Sequence, residues 1–379
     1  TLSELKRHLR SNESSKIVLI GDVMMDCYIH GYANNLNSRA PVPVLRETSR
    51  EEDVGAAAHV ARGLRSMGLD SHLFGVVGDD VAGLSIIESL EGEGVTTHGI
   101  AIVEDRITTV KTRMLASRES LIRDEQLLLR WDIEEDNPVP LEASESLYEQ
   151  AIQDLEGAAA LIASDYGQGV ITDKGSERLF AAAKKHKIPV IADPKLTGLH
   201  RTEGVDWILF QSQGLELMRR RLGATTGAEA AEKLLVQYNW NHLVVLSGEA
   251  GVTIYSSNEE TVHAPCGLVD LRQMIGLIDA AAVAIAFSLS RGLDVHSTAL
   301  LANAACECIL GAERTDSFVL SRDDLIPRGV SRNVFPLVDL RPMGAPVFHY
   351  AVKVEELWIN GGRYRGRDVP LKPIYAVFD

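Results

Sequence analysis

Short apolar runs that alternate with amphipathic stretches predict an α/β fold. Strand-length apolar runs lie at 17–23, 72–77, 160–164, 188–192, 207–210 and 242–246. Helical periodicity lies at 54–68, 142–156, 173–186, 214–222, 227–237, 279–291 and 296–311. Repeated strand-then-helix units predict a mostly parallel sheet with helices on both of its faces.

Two regions depart from this alternation and predict a small β lid. Residues 108–115 alternate and are rich in β-branched side chains, and residues 126–132 could pair with them. Residues 28–48 carry Asn34-Asn35 and two prolines, which predict loop and short strands. We therefore expect a lid built from about 28–46 and 106–132.

The end of the chain differs from the rest. Residues 251–263 predict a hairpin. Residues 328–379 contain five prolines and short alternating runs, and they suggest no chemistry. We expect one domain at 1–327, followed by a β-rich or irregular extension of unknown role.

Composition limits the class of partner. The chain has 379 residues, 45% of them apolar, a net charge of −15 and a pI of about 5.2. This acidity argues against nonspecific binding of nucleic acid or of anionic membranes, which needs excess Lys and Arg. A phosphorylated small molecule remains possible, because it needs only a local basic pocket.

The lack of a recognisable targeting signal and the spacing of the cysteines predict a cytoplasmic protein. No apolar run reaches the roughly 20 residues of a spanning helix, and the amphipathic N-terminal segment has no signal-peptide core. The four cysteines show no C-x-x-C spacing, so we expect reduced, buried thiols.

Asp279 is the strongest candidate for chemistry. It follows Gly276 and precedes an apolar helical run. The free N–H groups of a first helical turn attract anions, and a carboxylate there could deprotonate a sugar hydroxyl during phosphoryl transfer. A plain helix N-cap would also explain this aspartate.

Six stretches, in this order, resemble the ribokinase-like (PfkB) carbohydrate kinases, and among them the bacterial D-glycero-β-D-manno-heptose 7-phosphate kinases. The resemblance covers roughly residues 15–326 and implies a ribokinase-like fold, with ATP as co-substrate and Mg²⁺. The stretches are Gly21-Asp-Val-Met-Met-Asp26, Arg39-Ala-Pro-Val-Pro-Val44, Thr108-Thr-Val-Lys-Thr-Arg113, Gln126-Leu-Leu-Leu-Arg-Trp-Asp132, Ser164-Asp-Tyr-Gly-Gln-Gly169 and Asp193-Pro-Lys195.

The resemblance implies a sugar-binding set. Asp26 would accept hydrogen bonds from sugar hydroxyls. Lys111 and Arg113 alternate onto one strand face and would grip a sugar phosphate, although a solvated face is the simpler interpretation from the residues alone. Asp165 and Lys195 would face the cleft or belong to structural ion pairs. The remaining members of the set are Gly55, His59, Gln126 and Arg130, and Arg130 could instead pair with Asp132.

The resemblance also implies a nucleotide-binding set, and here the chain departs from the family. The set consists of Gln213, Ser247, Gly248, Gly276, Ile278 and Asn303, with Asp279 as general base and Glu216 binding Mg²⁺ through waters. The family's Gly-Ala-Gly-Asp reads Gly276-Leu-Ile-Asp279 here. A β-branched Ile278 resists the backbone angles that glycine tolerates and crowds an approaching phosphate.

Three more departures from the family point the same way, toward altered ATP binding. The family's Gly-Gly-Ala-Ala-Asn reads Gly55-Ala-Ala-Ala-His59, its Asn-x-x-Glu reads Gln213-Gly-Leu-Glu216, and a Thr is replaced in Leu246-Ser-Gly-Glu249. Histidine is the common acid/base side chain at neutral pH, so His59 could be an acid/base group, or it could be a satisfied, partly buried histidine.

Three functions remain open from the sequence. The chain is a working kinase for a heptose 7-phosphate or a similar phosphosugar, a catalytically silent relative that binds a phosphosugar, or a repurposed enzyme that works without ATP through His59 or Asp279. The resemblance also implies a homodimer formed through the lid.

Overall fold

The computed structural model describes residues 2–117, 126–267, 275–312 and 319–328, together with five short strands beyond them. It contains two compact units. One consists of Glu13–Val205 with Glu313–Val319, and the other of Thr1–Asn12, Asp206–Ala312 and Leu320–Asp379. We call them the acceptor unit and the donor unit, after the candidate residues that each contains. No helix in the described part of the chain has both the length and the apolar character needed to cross a bilayer.

The first half of the chain alternates strands with helices, apart from the lid strands. Its elements are α1 (Leu2–Arg10), β1 (Lys16–Gly21), β2 (Val23–Leu36), β3 (Pro43–Ala56), α2 (Ala57–Ser66), β4 (Asp70–Gly78), α3 (Val81–Gly92), β5 (Thr96–Val103), β6 (Thr109–Ser117), β7 (Gln126–Ile133), α4 (Leu141–Asp154), β8 (Ala160–Ser164), α5 (Asp173–His186) and β9 (Val190–Asp193).

The second half has shorter strands and includes two long, buried helices. Its elements are β10 (Trp207–Gln211), α6 (Ser212–Arg221), α7 (Gly227–Tyr238), β11 (His242–Leu246), β12 (Val252–Ser256), β13 (Val262–Ala264), α8 (Leu277–Ser290), α9 (Val295–Leu310), α10 (Arg322–Arg328), β14 (Phe335–Pro336), β15 (His349–Val352), β16 (Arg363–Tyr364), β17 (Arg367–Asp368) and β18 (Ile374–Val377).

In the acceptor unit, five parallel strands run in the order β9-β8-β1-β4-β5. The central strand β1 is apolar, and Ile17 to Ile20 have no exposed surface. Such a continuous buried run is typical of a parallel sheet that is covered by helices. Helices α2 and α4 pack against this sheet. The predicted α/β fold with a mostly parallel sheet is confirmed, and β5 is a strand that the sequence analysis did not identify.

The lid is a four-stranded sheet in the order β3-β2-β6-β7. The antiparallel pairing of β6 and β7 agrees with the prediction. The prediction of loop and short strands at 28–48 was wrong, because β2 and β3 are 14-residue strands that pair from Val23↔Ala56 to Leu36↔Pro43. Most of β3 is exposed and charged, so it lacks the apolar alternation by which a strand is recognised.

In the donor unit, β10 and β11 are parallel, and β11, β12, β13 and β14 follow as antiparallel neighbours. The predicted hairpin at 251–263 is therefore β12 and β13. Helices α8 and α9 pack on each other and are almost entirely buried. Asp294 caps α9 by accepting a hydrogen bond from the Ser297 N–H at 2.7 Å.

The four cysteines are free, as expected, and three are buried while Cys266 is partly exposed. The described residues beyond 328 form short strands, of which β14 pairs with β13. The domain boundary near 327 stays a prediction.

Candidate active site

The polar face of the lid brings predicted residues of the acceptor side together. Asp26 lies opposite Lys111, and Lys111 lies opposite Asp132. One step along, Tyr28 lies opposite Arg113, and Arg113 opposite Arg130. Because side chains alternate along a strand, all six residues share one face of the sheet.

Asp26 is held by a charged partner and by a glycine. The Nη1 atom of Arg113 donates to Oδ1 of Asp26 at 2.5 Å, and both side chains are largely buried. The guanidinium of Arg113 also lies over the Tyr28 ring, 5.1 Å from its centroid. A Cβ atom at Gly55 would lie 2.3 Å from Oδ2 of Asp26. Gly55 therefore makes room for the Asp26 carboxylate.

Three cations lie next to one another on this face. Burial, and then the charge of Arg130, lower the pKa of Lys111. Arg113 and Arg130 are directly opposed like charges, an arrangement that destabilises a sheet unless an anion compensates it. Arg130 also binds the Asp132 carboxylate through Nε at 2.9 Å and Nη2 at 2.5 Å, which lowers the pKa of Asp132.

Two predicted sugar-binding residues lie at the margin of this face. Gln126 is the exposed first residue of β7 and pairs with Ala116. His59 is half-buried on α2 and lies near Asp53, which is the lid residue opposite Asp26. Burial raises the pKa of Asp53, and Arg62 pairs with it. The acid/base role of His59 stays a prediction.

Asp165 and Lys195 lie on loops that follow β8 and β9. Asp165 is buried, accepts a hydrogen bond from the Gly167 N–H at 2.9 Å, and pairs with Arg201 at 3.1 Å. Asp165 is therefore a member of an ion pair. Lys195 is exposed, and its Nζ atom is 3.5 Å from the Tyr166 carbonyl oxygen.

Asp22 received no role from the sequence, although it lies in the stretch Gly21-Asp-Val-Met-Met-Asp26. Asp22 is fully buried, and its carboxylate accepts three backbone N–H groups, from Tyr166 at 2.8 Å, Gln168 at 3.1 Å and Val170 at 3.1 Å. Burial raises the pKa of Asp22. A charged residue directly after an apolar strand was the available signal.

On the donor side, α8 begins at Leu277 with Gly276 as its N-cap. The plain N-cap interpretation of Asp279 was therefore wrong, because Asp279 is the third residue of the helix and lies in its first turn. The unusual backbone falls on Gly276, whose φ is +83°, whereas Ile278 lies within the regular helix. Helical geometry costs Ile278 no strain, so only the expected crowding by its side chain remains as a prediction.

Gln213 and Glu216 lie on α6. Gln213 is an exposed residue inside the helix, and Gln211 occupies the strand-to-helix junction. The Glu216 carboxylate binds Arg219 at 2.7 Å and Arg220 at 2.8 Å, and these contacts lower its pKa to about 2. The predicted magnesium role of Glu216 therefore requires at least one of these exposed ion pairs to open.

Ser247 and Gly248 form a tight turn after β11, in which Ser247 N–H donates to the Gly251 carbonyl at 2.9 Å and Gly248 has a φ of +54°. Asn303 is buried on α9, and its Nδ2 atom donates to the Pro265 carbonyl and to Glu307. Its Oδ1 atom has no hydrogen-bond partner among the described residues. This oxygen is shielded from solvent, so the nucleotide-binding role of Asn303 stays a prediction.

A nucleotide and a magnesium ion fit the donor unit unequally. The first turn of α8 suits the phosphates of a nucleotide. Within the described ranges, no group of three or more His, Cys, Asp or Glu side chains could hold a metal ion. Because both oxygens of Glu216 are already bound by arginines, the arrangement does not fit magnesium.

Curated relatives are about 30% identical to this chain over the part of each that aligns with it. A protein named "Bifunctional protein HldE" from Stutzerimonas stutzeri is 32% identical over 314 residues, which are 79% of this chain and 61% of the relative. A protein of the same name from Haemophilus influenzae is 30% identical over 303 residues, covering 79% of this chain and 60% of the relative. The chain thus spans about 60% of the length of these relatives.

Solved structures show the same fold. A phosphofructokinase-2 from Escherichia coli in its tetrameric inhibited form superposes with a TM-score of 0.67 at 17% identity, covering 83% of this chain and 98% of that one. A ribokinase from Arabidopsis thaliana complexed with ribose and ATP gives a TM-score of 0.63 at 17% identity, with the same coverage of both chains. At these identities the likeness supports the fold alone.

The match to a family model is broader than any single motif. The model described as "pfkB family carbohydrate kinase" matches residues 14–321, which include the lid, the acceptor residues and the first turn of α8. This match agrees with the order of strands, the lid sheet and the relatives above. The chain therefore belongs to the pfkB family of carbohydrate kinases.

Proposed function

We propose that this kinase phosphorylates a hydroxyl group of a phosphosugar of the heptose 7-phosphate type, with ATP as the phosphoryl donor. The observation that carries the proposal is the row of Lys111, Arg113 and Arg130 on the polar face of the lid, beside Asp26. Asp26 and Asp132 already pair with Arg113 and Arg130, and the positive charge that remains on this face would attract a sugar phosphate. The resemblance of the six sequence stretches to the D-glycero-β-D-manno-heptose 7-phosphate kinases makes a heptose the preferred sugar.

On the acceptor side, each residue has a separate task. Arg113 and Lys111 bind the phosphate already present on the sugar, Arg113 through two parallel N–H groups and Lys111 as a point charge. Asp26 accepts hydrogen bonds from sugar hydroxyls and is oriented by its ion pair with Arg113. Arg130, held by Asp132, adds positive charge at the exposed end of the site.

On the donor side, Asp279 takes the proton of the attacking hydroxyl. When bound, ATP supplies the γ-phosphoryl group. The N–H groups of the first turn of α8 stabilise negative charge on that group. These N–H groups point out of the helix end because they have no acceptor within the helix, and Gly276, with a φ of +83°, is the N-cap that precedes them.

The test is calorimetry of ATP and of heptose 7-phosphate, followed by product analysis. We expect both ligands to bind and the sugar to gain one phosphate. Asp279→Asn should abolish turnover but keep ligand binding, whereas the same change at Asp294, the N-cap of the neighbouring α9, should leave turnover intact. A fully active Asp279→Asn protein would contradict the assignment of the base.

A second function is binding of the phosphosugar without use of ATP. The observations in its favour are the two arginines on Glu216 and the side chain of Ile278 in the first turn of α8. Under this alternative, calorimetry detects the phosphosugar but no nucleotide at millimolar concentration. A product formed from phosphosugar alone would indicate a repurposed enzyme, and no product would indicate a binding protein.

We also propose that the lid forms a homodimer. The face of the lid opposite the charged one carries Leu129 and Trp131, each 55% exposed, on the edge strand β7. An edge strand with exposed apolar side chains is a template for pairing with another chain. A second copy of this chain would bury these residues and would leave the polar face to the sugar.

A further inference from the structure

We propose that Asp22 is a positioning residue of the phosphosugar site, because its buried carboxylate fixes a loop against which Lys111 and Lys195 lie. We call residues 165–170 the clamped loop. This inference rests on the phosphosugar-binding role proposed above for Lys111 and expected from the sequence for Lys195. Every residue involved belongs to the acceptor unit.

The clamp is built from backbone contacts made by one side chain. Oδ2 of Asp22 accepts the N–H groups of Tyr166 and Gln168, and Oδ1 accepts that of Val170. The three donors alternate along the clamped loop, so a single carboxylate fixes its curvature. A fully buried carboxylate that accepts several backbone N–H groups is a strong, charge-assisted contact.

Other contacts hold the two ends and the middle of the same loop. Asp165 accepts the Gly167 N–H, and the Tyr148 hydroxyl donates to the Val170 carbonyl at 3.1 Å. Arg106 donates to the Gln168 carbonyl at 3.0 Å. These contacts limit the loop to one conformation, and Asp22 lies at their centre.

The clamped loop is the surface on which both lysines rest. The Nζ atom of Lys111 lies 5.7 Å from the centroid of the Tyr166 ring, within the range of a cation–π contact. The Nζ atom of Lys195 is 3.5 Å from the Tyr166 carbonyl oxygen. A Cβ atom at Gly167 would lie 2.7 Å from that same Nζ, so the lysine side chain lies directly across the glycine.

Asparagine cannot replace Asp22 in this role. An amide side chain offers one acceptor oxygen and presents its NH₂ group to the remaining backbone donors. At least one of the three N–H groups would then face another donor in a buried place. The loop would move away, and the Tyr166 ring would move from beneath Lys111.

The first experiment uses the full-length protein without ligand. Backbone hydrogen exchange follows residues 166–170, and NMR of reductively ¹³C-methylated lysines follows Lys111 and Lys195, assigned by Lys111→Arg and Lys195→Arg. We expect Asp22→Asn to accelerate loop exchange by at least about tenfold and to shift both lysine signals. Unchanged lysine signals in the Asp22→Asn protein would overturn the inference, whatever the substrate proves to be.

The second experiment measures heptose 7-phosphate and ATP affinity by calorimetry. We expect Asp22→Asn to weaken phosphosugar binding by about ten- to a hundredfold, to leave ATP affinity unchanged, and to add no further loss in a Lys111→Ala, Lys195→Ala background. Faster loop exchange with unaltered phosphosugar affinity would refute the positioning role. A wild-type protein that ignores the phosphosugar would instead refute the proposed function.

Matched variants guard against a purely structural effect. Asp294→Ala removes another carboxylate that accepts a backbone N–H, at α9 in the donor unit. It should lower thermal stability without changing the lysine signals or phosphosugar affinity.

If Asp22→Asn does not fold, Tyr166→Leu replaces it, because it removes the ring but keeps the loop backbone. The Lys111 signal should shift in Tyr166→Leu and stay in Tyr166→Phe, and equal shifts in both would contradict the role of the ring.

Discussion

Replacing Gly55 by alanine should damage sugar binding through one added methyl group. The new Cβ would lie 2.3 Å from Oδ2 and 3.0 Å from Cγ of Asp26. Ordinary contact of a carbon with an oxygen begins at roughly 3.4 Å, so the carboxylate must retreat by about 1 Å. That movement pulls Asp26 out of its 2.5 Å ion pair with Arg113.

The expected cost is large for so small a change. Misplacing a binding group by about 1 Å lowers kcat/KM by about a hundredfold, equivalent to about 2.7 kcal/mol of transition-state stabilisation. Overpacking a buried position also lowers the free energy of unfolding, by about 1–3 kcal/mol. Steady-state kinetics and phosphosugar calorimetry measure the first effect, and urea unfolding measures the second.

Gly92 provides the matched control. It ends α3, and a Cβ atom added there meets nothing within 4 Å. Gly92→Ala should therefore keep full phosphosugar affinity and leave the free energy of unfolding unchanged or slightly higher. If Gly55→Ala binds the phosphosugar within twofold of wild type, Asp26 is not the acceptor of its hydroxyl groups, and the reasoning fails.

Four further outcomes are expected. Burial lowers the pKa of His242 to about 4. The stability that neutral His242 contributes should therefore be present above pH 6.5, and the free energy of unfolding should fall by about 3 kcal/mol as pH falls toward 4. Urea unfolding at pH 7 and 4.5 should show this loss in wild type and less of it in His242→Gln. Ala56 has a φ of +53°, so Ala56→Gly should raise the free energy of unfolding by about 1 kcal/mol, and a drop would contradict strain at this position. Ile278→Gly should tighten ATP binding in calorimetry if its side chain crowds the phosphates, and equal or weaker binding would exclude crowding. If the lid forms the proposed homodimer, wild type should sediment as a dimer and Trp131→Glu as a monomer in analytical ultracentrifugation, and a dimeric Trp131→Glu protein would place the interface elsewhere.

Much of the architecture could be predicted because it follows from local pattern. The apolar run of β1 and the helical period of α5 reflect burial, which acts on each segment by itself. The alternation of Lys111 and Arg113 likewise placed both on one face before any pairing was known. β3 was missed because it is an exposed, charged strand whose conformation depends on its partner β2.

The partners of the charged side chains could not be predicted in this way. Asp165 pairs with Arg201, which lies 36 positions away, and Asp26 pairs with Arg113, which lies 87 positions away. Glu216 took two neighbouring arginines on its own helix. Which cation a carboxylate meets depends on register and loop path, and several candidates within reach looked equal in the sequence.

The sequence by itself determined the fold class, the family and the identity of the residues that carry charge, since these depend on composition, periodicity and order along the chain. Only the tertiary structure decided what those charges do. It buried Asp22 beneath the loop at 165–170, opposed Arg113 to Arg130, and put Gly55 where Asp26 needs space. The physical reason is that burial is a property of a segment, whereas a hydrogen bond or an ion pair requires two atoms to meet within about 3 Å, and distant segments meet only after the chain has folded.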